Sequence, residues 1–93
     1  MSLLTKEEIK KNLTALSGWM LERNQIVKQF QFQDFAEALS FVNKVGSEAE
    51  KMDHHPDIFI HSWNKVKIII STHSENGLTK KDFQLAEKIE GLK

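Results

Sequence analysis

A chain of 93 residues is long enough for one small domain, predicted to span residues 1–93, and too short for a second hydrophobic core. Its 13 basic and 13 acidic side chains cancel to a formal net charge of zero, which disfavours direct binding to nucleic acid, and its lack of cysteine excludes disulfides and thiol catalysis. No apolar run approaches the roughly 20 residues of a membrane span and no signal-peptide pattern is present, so we expect a cytoplasmic protein that does not bind membranes.

The first third of the chain has the pattern of a helix followed by a β-hairpin. Thr5 and Glu8 form a capping box, and apolar residues then recur at helical spacing until a Ser-Gly pair interrupts them. A short strand over 19–22 and a longer one over 26–32 follow, joined by a turn at Arg23-Asn24.

A long amphipathic helix is the most regular pattern in the sequence. Asp34 and Glu37 form a capping pair at its start, and apolar residues then recur every three or four positions as far as Met52. Pro56 disfavours helical conformation at His55, so the helix is predicted to end just before that residue. We expect the apolar stripe to pack on a sheet, with a face left for a partner.

Two more strands and a last helix complete the predicted order. β-rich stretches over 57–63 and 65–73 flank Asn64 and are consistent with a second hairpin. Thr79 and Asp82 then cap a final helix. Because strands joined by hairpins are antiparallel, the predicted fold class is α+β, with a four-stranded antiparallel sheet, three helices on one face and the order α-β-β-α-β-β-α.

Histidines are the most informative side chains, because they exchange protons near neutral pH. His54 and His55 lie at a helix-to-strand junction before Pro56, and His73 lies at the end of the last predicted strand. Since the start of one antiparallel strand lies near the end of its hairpin partner, we expect His73 to approach the other two. For the His-His-Pro junction alone, a functional and a structural role are about equally favoured. His61, in the middle of a strand, is interpreted as structural.

A metal site is the main alternative for clustered histidines. Zinc needs three or four ligands around one point, commonly at short spacings. The sequence has no His-Glu-x-x-His motif and no cysteine, so no metal ligands are predicted. Glu50, one helical turn before His54, is a candidate to orient that imidazole, and a solvated helix face is its structural alternative. No nucleophile elbow and no glycine-rich phosphate loop is present.

At these histidines the sequence resembles the pterin-4a-carbinolamine dehydratases, also known as dimerisation cofactors of a homeodomain transcription factor. The resemblance covers nearly the whole chain. Its most specific part combines Glu50-x-x-x-His54-His55-Pro56 with a downstream Thr72-His73 and Gly77-Leu78-Thr79-x-x-Asp82. It implies the α+β fold predicted above and a homodimer or homotetramer.

The resemblance also implies an enzyme, a carbon-oxygen hydro-lyase. Its reaction would be the dehydration of 4a-hydroxytetrahydropterin to quinonoid dihydropterin in tetrahydrobiopterin recycling, with no cofactor. It implies that His54 and His73 are the acid–base pair and that His55 binds the pterin, with a second role for His55 as base. The other implied substrate-binding residues are Asp53, Ser71, Thr72 and Ser74, and the implied supporting residues are Glu50, Pro56 and Asp82.

Two alternative functions stay open. One is a non-enzymatic dimerisation cofactor or transcriptional coactivator that binds a partner protein through a helical face. The other is an acid–base enzyme of a different pterin or molybdopterin pathway.

Overall fold

The structure, a computed structural model, describes residues 2–93. Its elements are α1 (Lys6–Thr14), β1 (Met20–Glu22), β2 (Gln25–Gln31), α2 (Phe35–Met52), β3 (Asp57–His61), β4 (Lys65–Ile70) and α3 (Lys80–Glu90), with a 3-10 turn at His73–Glu75. The predicted α+β class and the order α-β-β-α-β-β-α are confirmed. No helix within residues 2–93 is long and apolar enough to cross a membrane.

The four strands form one antiparallel sheet in the spatial order β1-β2-β4-β3. Each predicted hairpin is present, and β2 pairs with β4 across the middle, so that Ile26 lies opposite Ile70 and Phe30 opposite Val66. Because β3 and β4 are antiparallel, the start of β3 lies beside the end of β4, with Asp57 opposite Ile69. This end of the sheet carries the residues that follow α2 and β4.

The hydrophobic core lies between the sheet and the helices. Side chains from α2 and α3, among them Phe41, Val45, Leu85 and Ile89, pack with the buried residues of β2 and β4. Complete burial of a leucine or isoleucine side chain stabilises the fold by about 1.5–3 kcal/mol. α1 has no buried residue and covers the core only with half-buried side chains.

The predicted caps explain where the helices begin. The Thr5 N–H donates to Glu8 Oε1 at 2.8 Å, and the Glu8 N–H donates to Thr5 Oγ1 at 3.1 Å, which completes the capping box of α1. At the start of α2, Asp34 Oδ1 accepts a hydrogen bond from the Glu37 N–H at 2.8 Å. α2 ends at Met52, and the next residue, Asp53, has left-handed backbone angles (φ 51°, ψ 44°) that turn the chain away from the helix axis.

The predicted strands of the second hairpin are too long at their ends. β3 stops at His61 because Ser62 and Trp63, both with positive φ (49° and 54°), form the turn. β4 stops at Ile70, and His73 opens a 3-10 turn instead of ending a strand. A short bridge between Thr72 and Gly77 closes that turn at its base.

Candidate active site

A pocket of about 200 Å³ lies between the chain that leaves α2 and the chain that leaves β4. Its lining residues come from the two segments 53–55 and 71–74, and they are Asp53, His54, His55, Ser71, Thr72, His73 and Ser74. All seven were predicted as catalytic or substrate-binding residues. The structure therefore brings these residues together around one cavity, while the role of each stays a prediction.

Larger surface grooves exist elsewhere on the molecule. One of about 470 Å³ is lined by Met52, Gln84, Glu87 and Lys88, and another of about 510 Å³ by Glu22, Arg23 and Gln25. Neither contains a histidine, whereas the smaller pocket contains three. Chemistry rather than volume thus makes the smaller pocket the candidate active site.

His54 is held by a buried carboxylate. Its Nε2 lies 2.6 Å from Oδ1 of Asp82, whose side chain is fully buried in the first turn of α3. No hydrogen bond within residues 2–93 uses Nδ1 of His54, and no buried side-chain polar atom in that range lacks a partner. Nδ1 is therefore the ring nitrogen that has no partner in this part of the chain and is not fully buried.

Two threonines complete the surroundings of Asp82. Its Oδ2 accepts hydrogen bonds from the Thr72 hydroxyl and from the Thr79 N–H, both at 2.8 Å. The hydroxyls of Thr72 and Thr79 also lie 2.8 Å apart. Because a hydroxyl has one proton and that of Thr72 goes to Asp82, the Thr79 hydroxyl is the donor of this last bond. The carboxylate thus meets three partners, which compensates the cost of burying it.

His55 points away from this network. Its Nε2 lies 2.5 Å from Oε1 of Glu50, and both side chains are exposed, at 55% and 77% of their full accessibility. The prediction that Glu50 orients His54 is therefore wrong. The i, i+4 spacing applies only within a helix, and Asp53 in its left-handed conformation has already ended α2 before His54.

His73 begins the 3-10 turn, and its side chain is exposed at the pocket. The turn is stabilised by hydrogen bonds from the Glu75 N–H to the Thr72 carbonyl at 3.0 Å and from the Asn76 N–H to the His73 carbonyl at 3.1 Å. The His73 ring forms no hydrogen bond with the rest of the described chain. A ligand in the pocket can therefore engage it directly.

Pro56 and His61 lie outside the pocket lining. Pro56, a predicted supporting residue, is half-buried and directly precedes β3. His61 lies on β3, where its Nε2 donates a hydrogen bond to Gln29 Oε1 at 2.8 Å and its ring stacks on Phe59. His61 is not among the residues that line the pocket, and its structural role stays a prediction.

Thr79 belongs to the network around Asp82, although the sequence predicts it only as a helix cap. Its pairing with Asp82 in that cap is the signal that indicates its contact with the carboxylate.

Among residues 2–93, no three His, Asp or Glu side chains are grouped so that they could hold a metal ion.

The chain is similar along its whole length to proteins of one family. The family model described as pterin 4 alpha carbinolamine dehydratase matches residues 2–92. A Sulfolobus acidocaldarius protein provisionally named pterin-4-alpha-carbinolamine dehydratase is 46% identical over 86 residues, 92% of this chain and 93% of that protein. A Nostoc punctiforme protein with the same provisional name is 47% identical over 91 residues, 98% of this chain and 97% of that protein.

Solved structures agree with this relationship. The crystal structure of a transcriptional coactivator/pterin dehydratase from Brucella melitensis is 38% identical and superposes with a TM-score of 0.93 over 98% of both chains. A pterin dehydratase-like RuBisCO assembly factor of the alpha-carboxysome has a TM-score of 0.65 at 19% identity, covering 80% of this chain and 84% of that one, and shows the shared fold alone. The chain belongs to the pterin 4 alpha carbinolamine dehydratase family.

Proposed function

We propose that this chain is a 4a-hydroxytetrahydrobiopterin dehydratase that converts the carbinolamine to quinonoid dihydropterin in tetrahydrobiopterin recycling. The observation that carries the proposal is the pocket itself. His54, His55 and His73 line one cavity, and a buried carboxylate from α3 orients one of them. Family membership supports the same reaction.

The reaction needs an acid and a base. The bond between C4a and the hydroxyl oxygen breaks with both electrons leaving on oxygen, and that oxygen takes up a proton to depart as water. A ring N–H loses a proton, so that atoms and charge balance and no oxidant or reductant is consumed. Histidine suits both transfers because its unperturbed pKa lies near neutrality.

His54 and His73 are the proposed proton carriers. Because the Asp82 carboxylate accepts a hydrogen bond from Nε2 of His54, Nε2 carries the ring proton. This leaves Nδ1 to exchange a proton with the pterin. His73 enters from the other wall of the pocket and has no competing side-chain partner within residues 2–93. His55, bonded to Glu50 near the surface, is proposed to bind the pterin edge. Asp82 positions His54 and does not itself contact the substrate.

A direct assay tests the proposal. The purified protein should accelerate the dehydration of enzymatically generated 4a-hydroxytetrahydropterin, followed by ultraviolet absorbance. His73→Ala should lower kcat by about 10²–10⁴-fold, the usual contribution of a positioned acid or base. His61→Ala is the matched control, because it removes a histidine of β3 that lies outside the pocket and should leave kcat unchanged. A wild-type protein that does not accelerate the reaction would refute the proposed function.

A second proposal concerns the outer face of α2. Phe35 and Leu39 are apolar, 50% and 40% exposed, and one helical turn apart. We propose that a further copy of the chain covers this face in a homodimer or homotetramer, and a different protein partner is the alternative. Light scattering tests this: Leu39→Lys should lower the molar mass of the particle, and an unchanged mass would place the subunit contact elsewhere.

A further inference from the structure

The tip of the first hairpin touches the turn that carries His73. The amide Nδ2 of Asn24, between β1 and β2, donates to the Asn76 carbonyl at 2.9 Å and also lies 3.2 Å from Asn76 Oδ1. These two residues are 52 positions apart in the sequence. Asn24 is not among the pocket residues, and nothing in the sequence marks it as more than a turn residue.

Asn76 ends the 3-10 turn in a left-handed conformation, with φ 53° and ψ 45°. Asparagine tolerates these angles better than most residues, but the conformation is still sparsely populated and depends on its surroundings. The hydrogen bond from Asn24 engages the carbonyl of this same residue. It therefore stabilises the backbone at the point where the turn reverses towards Gly77.

His73 depends on this turn for its position. The Asn76 N–H donates to the His73 carbonyl at 3.1 Å, so that the first and last residues of the His73–Asn76 turn are bonded to each other. On its other side the turn is followed by Leu78, whose carbonyl accepts the Leu4 N–H at 2.8 Å. Within residues 2–93, Asn24 is the only residue outside the His73–Asn76 turn whose side chain forms a hydrogen bond with that turn.

We propose that Asn24 is a positioning residue for catalysis: it holds the His73–Asn76 turn so that the His73 imidazole faces the pterin pocket. The inference rests on the proposed function, because it gives Asn24 its role through His73. The contact is exposed to solvent, so the expected effect is modest. One net hydrogen bond changes an equilibrium constant by about two- to tenfold, so the ratio of correctly placed to displaced His73 should fall by that factor, and kcat by no more than that factor.

The test compares three variants in the dehydration assay. Asn24→Ala should lower kcat by up to about tenfold with KM changed less than about twofold, because the lost contact affects the placement of an acid–base group. Asn24→Gln keeps an amide donor at the surface and should recover most of the rate. Asn12→Ala is the matched control: it removes an exposed bond of the same type, from Asn12 Nδ2 to the Glu8 carbonyl at 2.8 Å, far along the chain from the turn. If Asn24→Ala and Asn12→Ala have the same kcat, the proposal is overturned.

Amide hydrogen exchange gives a readout that does not depend on activity. In Asn24→Ala, exchange at the N–H groups of Glu75 and Asn76 should accelerate by the same two- to tenfold factor, while exchange in the paired strands β2 and β4 stays unchanged. An inactive wild-type protein with this exchange response would refute the dehydratase proposal and keep the positioning contact. An unchanged exchange rate at Glu75 and Asn76 would refute the contact itself.

Discussion

Asp82 Oδ1 lies 2.6 Å from Nε2 of His54, across 28 positions of sequence. The pair joins the first turn of α3 to the residue that follows the end of α2, and both side chains are buried. Because the second oxygen of Asp82 is engaged by Thr72 and Thr79, the carboxylate cannot rotate without breaking further hydrogen bonds. The orientation of the imidazole thus depends on the position at which α3 holds Asp82 beside the chain that follows α2.

Asp82→Asn should impair catalysis more than stability. The amide oxygen will face its two donors, Thr72 and the Thr79 N–H, which turns the amide nitrogen towards His54 and forces Nε2 to accept. Nδ1 then carries the proton, which reverses the tautomer that the Asp82 carboxylate imposes and disturbs the proposed proton exchange at Nδ1. We expect kcat to fall by about 10²-fold or more and the free energy of unfolding by about 1–3 kcal/mol.

Ile89→Val serves as the control for that loss of stability. Ile89 is fully buried on the same helix, and its truncation should lower the free energy of unfolding by about 0.5–1.5 kcal/mol. Its kcat should equal that of the wild type. If Asp82→Asn retains kcat within threefold, roughly half a decade, the assigned tautomer of His54 is incorrect.

The Thr72 hydroxyl should matter for stability through its two buried partners. Thr72→Val keeps the shape of the side chain but removes a donor to Asp82 and an acceptor for Thr79, both of which are fully buried. Leaving buried polar groups short of a partner costs about 1–3 kcal/mol, so the urea midpoint should fall with an unchanged slope. Thr72→Ser retains the hydroxyl and should lose less; equal losses in the two variants would contradict the network.

Local signals in the sequence predict the elements well, and long-range side-chain contacts poorly. Capping at Thr5 and Asp34 depends on neighbours within a few residues, and the structure confirms both caps. The turn at Ser62-Trp63 has no such signal, because neither residue type favours positive φ. Likewise, spacing along a helix suggested Glu50 as the partner of His54, whereas the actual partner comes from α3.

Glu50→Gln should have little effect on stability. The contact between Glu50 and His55 is more than half exposed on both sides, and even a charged pair with this exposure contributes only between 0 and about 1 kcal/mol. We expect the free energy of unfolding to change by less than about 0.5 kcal/mol, measured by urea denaturation. The dehydration rate should fall far less than in Asp82→Asn. A loss of kcat as large as that of Asp82→Asn would assign His55, and not His54, the central proton transfer.

Glu90 should make part of the stability dependent on pH. Burial raises the pKa of this carboxyl, but hydrogen bonds from Lys28, Lys93 and Trp19 outweigh that effect and hold the pKa below its ordinary value of 4.5. A carboxyl whose pKa is lower in the folded state stabilises the fold above its unfolded pKa, and this contribution is lost as the pH falls through the folded value. The difference in free energy of unfolding between wild type and Glu90→Gln, about 1 kcal/mol or less, should therefore be constant near neutrality and shrink below pH 4.5. This difference is measured by urea denaturation of both proteins at a series of pH values from about 3 to about 7. A difference that persists unchanged at the acidic end would show that Glu90 acts through packing and not through its charge.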